Sequence, residues 1–355
     1  MSRGYPFAPG LDAAGVAGRT SFVVVHYAGA DDLHSCVDSI LAEPGDVELI
    51  VVDNCSVDRA TSTLPEDPRL RRVWLPRNVG FAAGANAGLQ AASGDMLVLL
   101  NPDAAVRRGF VAALRQTLQE ADIAVPRVLL ADAPARLDSC GHDLYPDGLN
   151  WCRGRGESAG DRFHEVEDVL LFSGAAVGFR RDALVVTGGL DEGFWAYGED
   201  ADLGLRAARE GLVCRTSPDA VCTHRVGGSF GRYGLRKAFL VERNRVRVAL
   251  VHLPLRWLLV SPVWTGLRVL ALGLAGGAGR GIAAGYSPRA RLLLGPTLVA
   301  AWGAGALQAP GSLARRWALG RAPRDYLRQL RSARIGVHDL LRRPGPPGRS
   351  RARMR

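Results

Sequence analysis

The chain has 355 residues, with 45 Lys+Arg against 35 Asp+Glu, six Cys and 47% hydrophobic residues. Such length and apolar content suit one large or two modest domains with an ample core and exclude a disordered chain, while six scattered cysteines without paired C-x-x-C spacing exclude a disulfide scaffold. The net charge of +10 would suit a nucleic-acid binder, but it sums two unlike pieces: residues 231–355 hold 24 basic and 3 acidic residues, residues 1–230 hold 21 basic and 32 acidic.

Residues 1–20 are interrupted by Gly, Pro and Asp, contain no apolar core of signal-peptide length, and read as a loose N-terminal arm. The acidic part is therefore expected in the cytoplasm, its thiols reduced and acting as small core hydrophobes. Residues 21–27 (SFVVVHY) form a β-branched run of strand length, and 33–42 follow with helical spacing of Leu33, Val37, Ile40 and Leu41. Residues 47–52 (VELIVV), 71–75 and 96–100 (MLVLL) read as three more strands, and 107–121 as a helix. Strands alternating with helices predict βαβ units, hence an α/β fold with a mostly parallel sheet whose ligands sit beyond the carboxyl ends of the strands. The Gly-rich run at 80–88 has G-x-x-x-G-x-x-x-G spacing and follows the third strand, which disfavours a dinucleotide-binding Rossmann domain; no Gly-Lys-Ser/Thr marks a P-loop.

Two strands end in acids. Asn101-Pro102-Asp103 closes the fourth, with Pro102 stopping the ladder and Asp103 beyond its tip. One carboxylate there can hold Mg²⁺ or Mn²⁺ across substrate phosphates, or can cap a helix starting near Val106. In the run 191–202 (DEGFWAYGEDAD), aromatics and glycines precede three acids that open a helix reaching Glu210. Crowded carboxylates raise one another's pKa and suit general-base work, whereas a helix N-terminus stabilises the anions as dipole partners. The neighbouring aromatics favour a sugar-binding site. His224, after the strand-like run 220–223, is by itself more often a structural residue than a metal ligand and stays unassigned on its chemistry alone.

Taken in order, VVVHY at 23–27, VVDNCSVD at 51–58, RNVGFAAGANAGL at 77–89, LLNPDA at 99–104, FSGAAVGFRRDAL at 172–184 and GGLDEGFWAYGEDADLGLRAAREG at 188–211 resemble the family 2 glycosyltransferases of the GT-A fold, in particular the rhamnosyltransferase-like group of bacteria. Glu242-Arg243-Asn244 adds to the likeness, which covers about residues 20–250. The resemblance implies a catalytic domain over 21–245. In it Asp53 and Asn54 would meet the donor's base or ribose, and Arg77, Asn78 and Gly80 would line the nucleotide pocket. Asp103 would hold Mg²⁺ or Mn²⁺ on the diphosphate, in a D-x-D-type motif whose first Asp is here Asn101, with His224 as a further metal or diphosphate ligand. Asp200 of the Glu199-Asp200 pair would be the general base, with Trp195 and Tyr197 shaping the acceptor site. The implied activity is metal-dependent transfer with inversion of a sugar, rhamnose or another deoxysugar, from a nucleoside-diphosphate donor to a lipid-linked or cell-surface polysaccharide acceptor. Rival readings are a nucleotidyltransferase making a nucleotide sugar and a non-catalytic carbohydrate-binding protein.

The basic third changes character. Residues 246–275 are rich in Val, Leu and Trp, broken by Pro254 and Pro262, and 292–314 run for 23 positions without a charge. Apolar helices bearing Trp and Arg suit an anionic membrane surface, here the inner face of the cell membrane. A helical accessory domain with a solvated basic face is the alternative; nucleic acid is disfavoured because the basic residues sit among aliphatic runs. Residues 246–340 are thus expected to form a helical membrane-associating region and 341–355 a disordered basic tail.

Overall fold

In the computed structural model, residues 9–160, 162–227, 233–277 and 285–332 are described. The four predicted strands are β1 (Val16–His26), β2 (Val47–Asp53), β3 (Leu70–Trp74) and β4 (Gly94–Leu100), lying parallel in the order β3-β2-β1-β4. Side chains of β1 alternate between two cores although the run is apolar throughout. Phe22 and Val24 pack with Leu33, Val37 and Ile40 of α1 (Ala30–Leu41) on one face. Val23 and Val25 pack with Ala82, Ala85 and Leu89 of α2 (Phe81–Ala91) on the other.

Beyond β4 the sheet becomes mixed, with β5 (Ala104–Val106), β7 (Ala133–Ser139) and β10 (Ala176–Arg180) running against the shared direction of the other strands. β5 pairs antiparallel with β11 (Cys214–His224), which is itself parallel to β6 (Ile123–Leu130). β7 runs antiparallel to β6, and β8 (His142–Leu144) with β9 (Asn150–Cys152) makes a separate hairpin. β10 inserts antiparallel between β4 and β6. A strand buried on both faces is apolar whichever way it runs, so strand direction was invisible in the apolar runs. The helix expected over 107–121 is only α3 (Phe110–Thr117). Its N-terminus is capped from a distance by Glu43, whose two oxygens accept from the N–H groups of Gly109 and Val111 at 2.8 and 2.9 Å, so Asp103 is no helix cap.

Two short helices, α4 (Arg181–Thr187) and α5 (Glu199–Arg209), flank the acidic run. The basic third is helical: α6 (Leu235–His252), α7 (Leu255–Gly277), α8 (Pro288–Leu307), α9 (Ala309–Ala318) and α10 (Arg324–Ser332). Four sequence boundaries move. The arm over 1–20 is too long, because β1 begins at Val16. Before it, Leu11 packs on the α2-side core and the carbonyl of Asp12 accepts from Arg181. A domain boundary at 245/246 falls inside α6, and Val248, Ala249, Trp257 and Tyr326 share one core with Leu144, Phe194 and Leu205. Pro254 separates α6 from α7, but Pro262 lies within a continuous α7. The uncharged run 292–314 is not one helix, since α8 ends at Leu307. The tail 341–355 and Gly228-Ser229 lie outside the described residues.

Candidate active site

The carboxyl ends of β1, β2, β4 and β11 point to one rim, and the loops there carry the predicted residues. Asp53 ends β2 and turns the chain: its carboxylate accepts from the N–H and the hydroxyl of Ser56, both at 2.7 Å. Asn54 is buried and knits the next loops together. Its amide donates to the Asn78 side chain and to the Gly80 carbonyl, each at 3.2 Å, and its oxygen accepts from the Val79 N–H at 2.9 Å. Arg77 of the same loop is exposed. Gly80 has φ 87°, and a Cβ there would lie 2.4 Å from the Trp195 carbonyl oxygen. The close approach this glycine permits is therefore to the aromatic turn, which joins the 77–80 loop to Trp195 and Tyr197.

Asp103 and His224 meet across the turn after β4. His224 Nε2 lies 3.1 Å from Asp103 Oδ1, and its Nδ1 lies 2.8 Å from Asp138 Oδ2. Arg155 holds the other oxygen of Asp138 at 2.8 Å. Burial by itself would depress His224, but its bonds to Asp103 and Asp138 outweigh burial and push it up to about 10. Asp138 is held low, at about 2: burial would raise it, yet the His224 bond and the Arg155 charge prevail. One carboxylate and one imidazole converging on a point, the imidazole backed by a second carboxylate, suit a divalent cation. Among the described residues no group of three or more His, Cys, Asp or Glu gathers as a metal set. The fit is therefore to an ion that takes its remaining ligands from phosphate oxygens and water.

Asp200 stands in the first turn of α5. Its Oδ2 accepts from the Gly174 N–H at 3.1 Å, and its Oδ1 from the Ala201 N–H at 2.8 Å and the Asn150 amide at 3.5 Å. The segment 173–175 also reaches the turn after β4, because the Ala175 carbonyl accepts from the Asn101 N–H at 2.9 Å. The three acids do not act alike. Glu199 is buried, with Oε2 lacking a hydrogen-bond partner; burial and then the Asp200 charge push it up to about 8. Asp202 is pulled down instead: burial is overcome by Arg206, 2.9 Å away, and His252, 2.8 Å away. It is a structural anion tying α5 to α6.

The aromatic turn is stapled from α6. The amide of buried Asn244 donates to the carbonyls of Phe194 and Ala196, each at 2.9 Å, and of Tyr197 at 2.5 Å, while Arg243 donates to Phe194 O at 2.8 Å. Within this turn Trp195 and Tyr197 adopt φ of 66° and 68°, a costly region for bulky side chains. Arg236 lies over the Trp195 ring and Lys237 over that of Tyr197, with centroid distances of 4.7 and 5.3 Å.

Residues 21–185 match the family model described as glycosyl transferase family 2. That segment is a family 2 glycosyltransferase domain. The chain is 38% identical over 107 residues to the succinoglycan biosynthesis protein ExoO of Rhizobium meliloti, a match covering 29% of this chain and 30% of ExoO. It is 29% identical over 224 residues to the O-antigen biosynthesis protein RfbC of Myxococcus xanthus, covering 55% of this chain and 16% of RfbC. The chain thus spans less than a third of the length of these two relatives. The crystal structure of GalNAc-T7 with UDP, GalNAc and Mn²⁺ shares the fold, with a TM-score of 0.51 and 17% identity over 66% of this chain and 48% of that one. The GT-A fold expected from the sequence is the fold observed.

Within the glycosyltransferase domain, sequence reasoning missed Asp138, Arg155 and Asn150, which orient His224 and Asp200. These come from β7 to β9 and the turn after β9, a polar stretch with no periodic or motif signal. Asn244 was visible only as part of Glu242-Arg243-Asn244; its role needs the fold, since 47–50 residues separate it from the carbonyls it binds.

Proposed function

We propose that the protein is an inverting glycosyltransferase that moves a sugar, rhamnose or another deoxysugar, from a nucleoside diphosphate to a lipid-linked or polysaccharide acceptor, with Mg²⁺ or Mn²⁺. The observation that carries this reading is the bridge of residues 173–175, which binds the turn of Asn101 and Asp103 at one end and the Asp200 carboxylate at the other. A cation-and-diphosphate site and a base are thereby fixed against each other at one rim. ExoO and RfbC, named for succinoglycan and O-antigen biosynthesis, support a polysaccharide product. GalNAc-T7, solved with UDP and Mn²⁺, supports a nucleotide donor and a divalent ion.

Asp103 and His224 would hold the ion, with Asp138 fixing the imidazole so that Nε2 faces it. A bound divalent ion supplies offsetting charge to the departing diphosphate. Asp200 takes the proton from the acceptor hydroxyl, and the N–H groups of Gly174 and Ala201 keep its oxygens aimed during that transfer. Glu199, buried beside Asp200, retains its own proton at neutral pH, so the neighbouring acids differ in charge. Trp195 and Tyr197 offer flat faces to a sugar ring, and Asn54, Asn78 and Gly80 shape the nucleotide side. The basic helices would bring the enzyme to the inner face of the cell membrane. The test is transfer from a panel of nucleotide sugars with Mn²⁺ or Mg²⁺. Asp200→Asn should keep donor binding and lose about 10²–10⁴-fold in rate, and Asp103→Ala should lose metal-dependent donor binding. Near-normal turnover in Asp200→Asn removes the base assignment.

A further inference from the structure

The helices α7 and α8, of 23 and 20 residues, are each long and apolar enough to cross a bilayer. Their inner faces tell against crossing. Arg268, in the second half of α7, donates to Asp147 Oδ2 at 2.9 Å and Glu242 Oε1 at 2.8 Å, and Thr265 donates to Asp147 at 3.0 Å. Asp147 sits in the β8–β9 turn of the catalytic domain, and Arg245 of α6 bonds both its carbonyl and Glu242. Trp302 of α8 donates to the same Glu242 carboxylate at 2.9 Å, so the two helices meet over one buried ionic cluster. Lifting α7 out to span a membrane would strip buried Asp147 and Glu242 of Arg268, leaving Arg245 as their remaining cation, and would carry the Arg268 charge into the bilayer.

The outer faces are the opposite in character. Leu255, Leu259, Val263, Leu270 and Leu274 of α7 are 59–82% exposed, and Leu292 and Leu307 of α8 are 80% and 84% exposed. Their spacing of four and seven residues forms one aliphatic stripe on α7, opposite the stripe of Trp257, Ser261, Thr265 and Arg268 that faces the protein. An apolar surface of this extent requires a cover. A second copy is disfavoured, because residues 231–355 carry 24 basic against 3 acidic residues and pairing would set like charge on like. Exposed Arg256 and Arg289 stand at the N-terminal ends of the two helices, where they can meet lipid phosphates.

We propose that the outer faces of α7 and α8 lie in the plane of an anionic bilayer surface, as a monotopic seat, and do not cross it. This refines the membrane association proposed above and is independent of which sugar is transferred. The full-length protein is floated with vesicles of phosphatidylcholine alone or with phosphatidylglycerol added. An environment-sensitive fluorophore is then placed at residue 259, 267 or 274 in a Cys55→Ser background, and its depth is read with lipids brominated at known positions. Binding to anionic vesicles with all three probes at one shallow depth, about 5–10 Å below the headgroups, is expected. A Leu259→Glu/Leu270→Glu variant, altered only at exposed positions, should lose about tenfold or more in bound fraction while keeping its turnover in solution. Failure to float, a central probe far deeper than its neighbours, or a dimer that the glutamates dissociate in place of vesicle binding would each overturn the proposal. None of these outcomes depends on turnover, so they leave the transferase reading to its own test.

Discussion

Replacing Asn244 by alanine tests whether the helical region holds the catalytic turn in place. One amide with two hydrogens serves three carbonyls, of Phe194, Ala196 and Tyr197, so one hydrogen must be shared. Truncation leaves about two buried acceptors unsatisfied, at about 1–3 kcal/mol each. The strained φ of Trp195 and Tyr197 works the other way: relaxation of the turn recovers part of that cost, at about 1–3 kcal/mol per residue. The net loss should be about 2–4 kcal/mol, equivalent to a fall in Tm of about 5–10 °C for a domain of this size. Because relaxation displaces the residues just before Asp200, kcat should fall by about 10²-fold, while donor affinity, set on the nucleotide side, should change little. Asn244→Asp supplies the contrast. It is nearly isosteric but turns a carboxylate oxygen towards the three carbonyls, so it should be worse than alanine. The assays are thermal unfolding followed by circular dichroism and steady-state kinetics with donor and acceptor varied separately. A variant Asn244→Asp milder than Asn244→Ala, or an Asn244→Ala protein of unchanged Tm and kcat, would refute the staple.

Gly80→Ala should destabilise by about 1–3 kcal/mol, read as a lower Tm, because the new methyl meets the Trp195 carbonyl at 2.4 Å in a left-handed backbone; an unchanged Tm contradicts that contact. Glu199 keeps its proton in the folded protein up to about pH 8, whereas the unfolded chain gives it up near 4.5. Its contribution to stability is thus complete below the unfolded value and declines as pH rises towards 8. Glu199→Gln mimics the protonated acid, so its Tm relative to wild type should climb between pH 5 and pH 8; a constant difference argues against the raised value. Asp138→Asn should weaken Mn²⁺ binding by about 10–100-fold through loss of the carboxylate behind His224, measured by calorimetry with nucleoside diphosphate present. Equal affinity would separate His224 from the metal.

What could be read without a structure was whatever is encoded locally. The β-branched runs at 21–27, 47–52 and 96–100 announced buried strands because each must bury both faces. The strand-end placement of Asp53 and Asp103 put both at the rim formed by the carboxyl ends of β2 and β4, and the ordered motifs pointed to the family. Three matters are not local and needed the tertiary structure. Strand direction was one, since β10 is as apolar antiparallel as it would be parallel. The fates of the three acids were another: Glu199, Asp200 and Asp202 differ through Asp202's partners Arg206 and His252, Asp200's partner Asn150, and the depth at which Glu199 is buried. The third was the basic region, whose composition favoured a membrane-associating region over an accessory domain but did not say which helix faces turn inward. There the position of Arg268 decided, because a cation held by two buried carboxylates of the protein fixes which face of α7 looks inward. Sequence determines what each segment must bury; the fold alone determines against what.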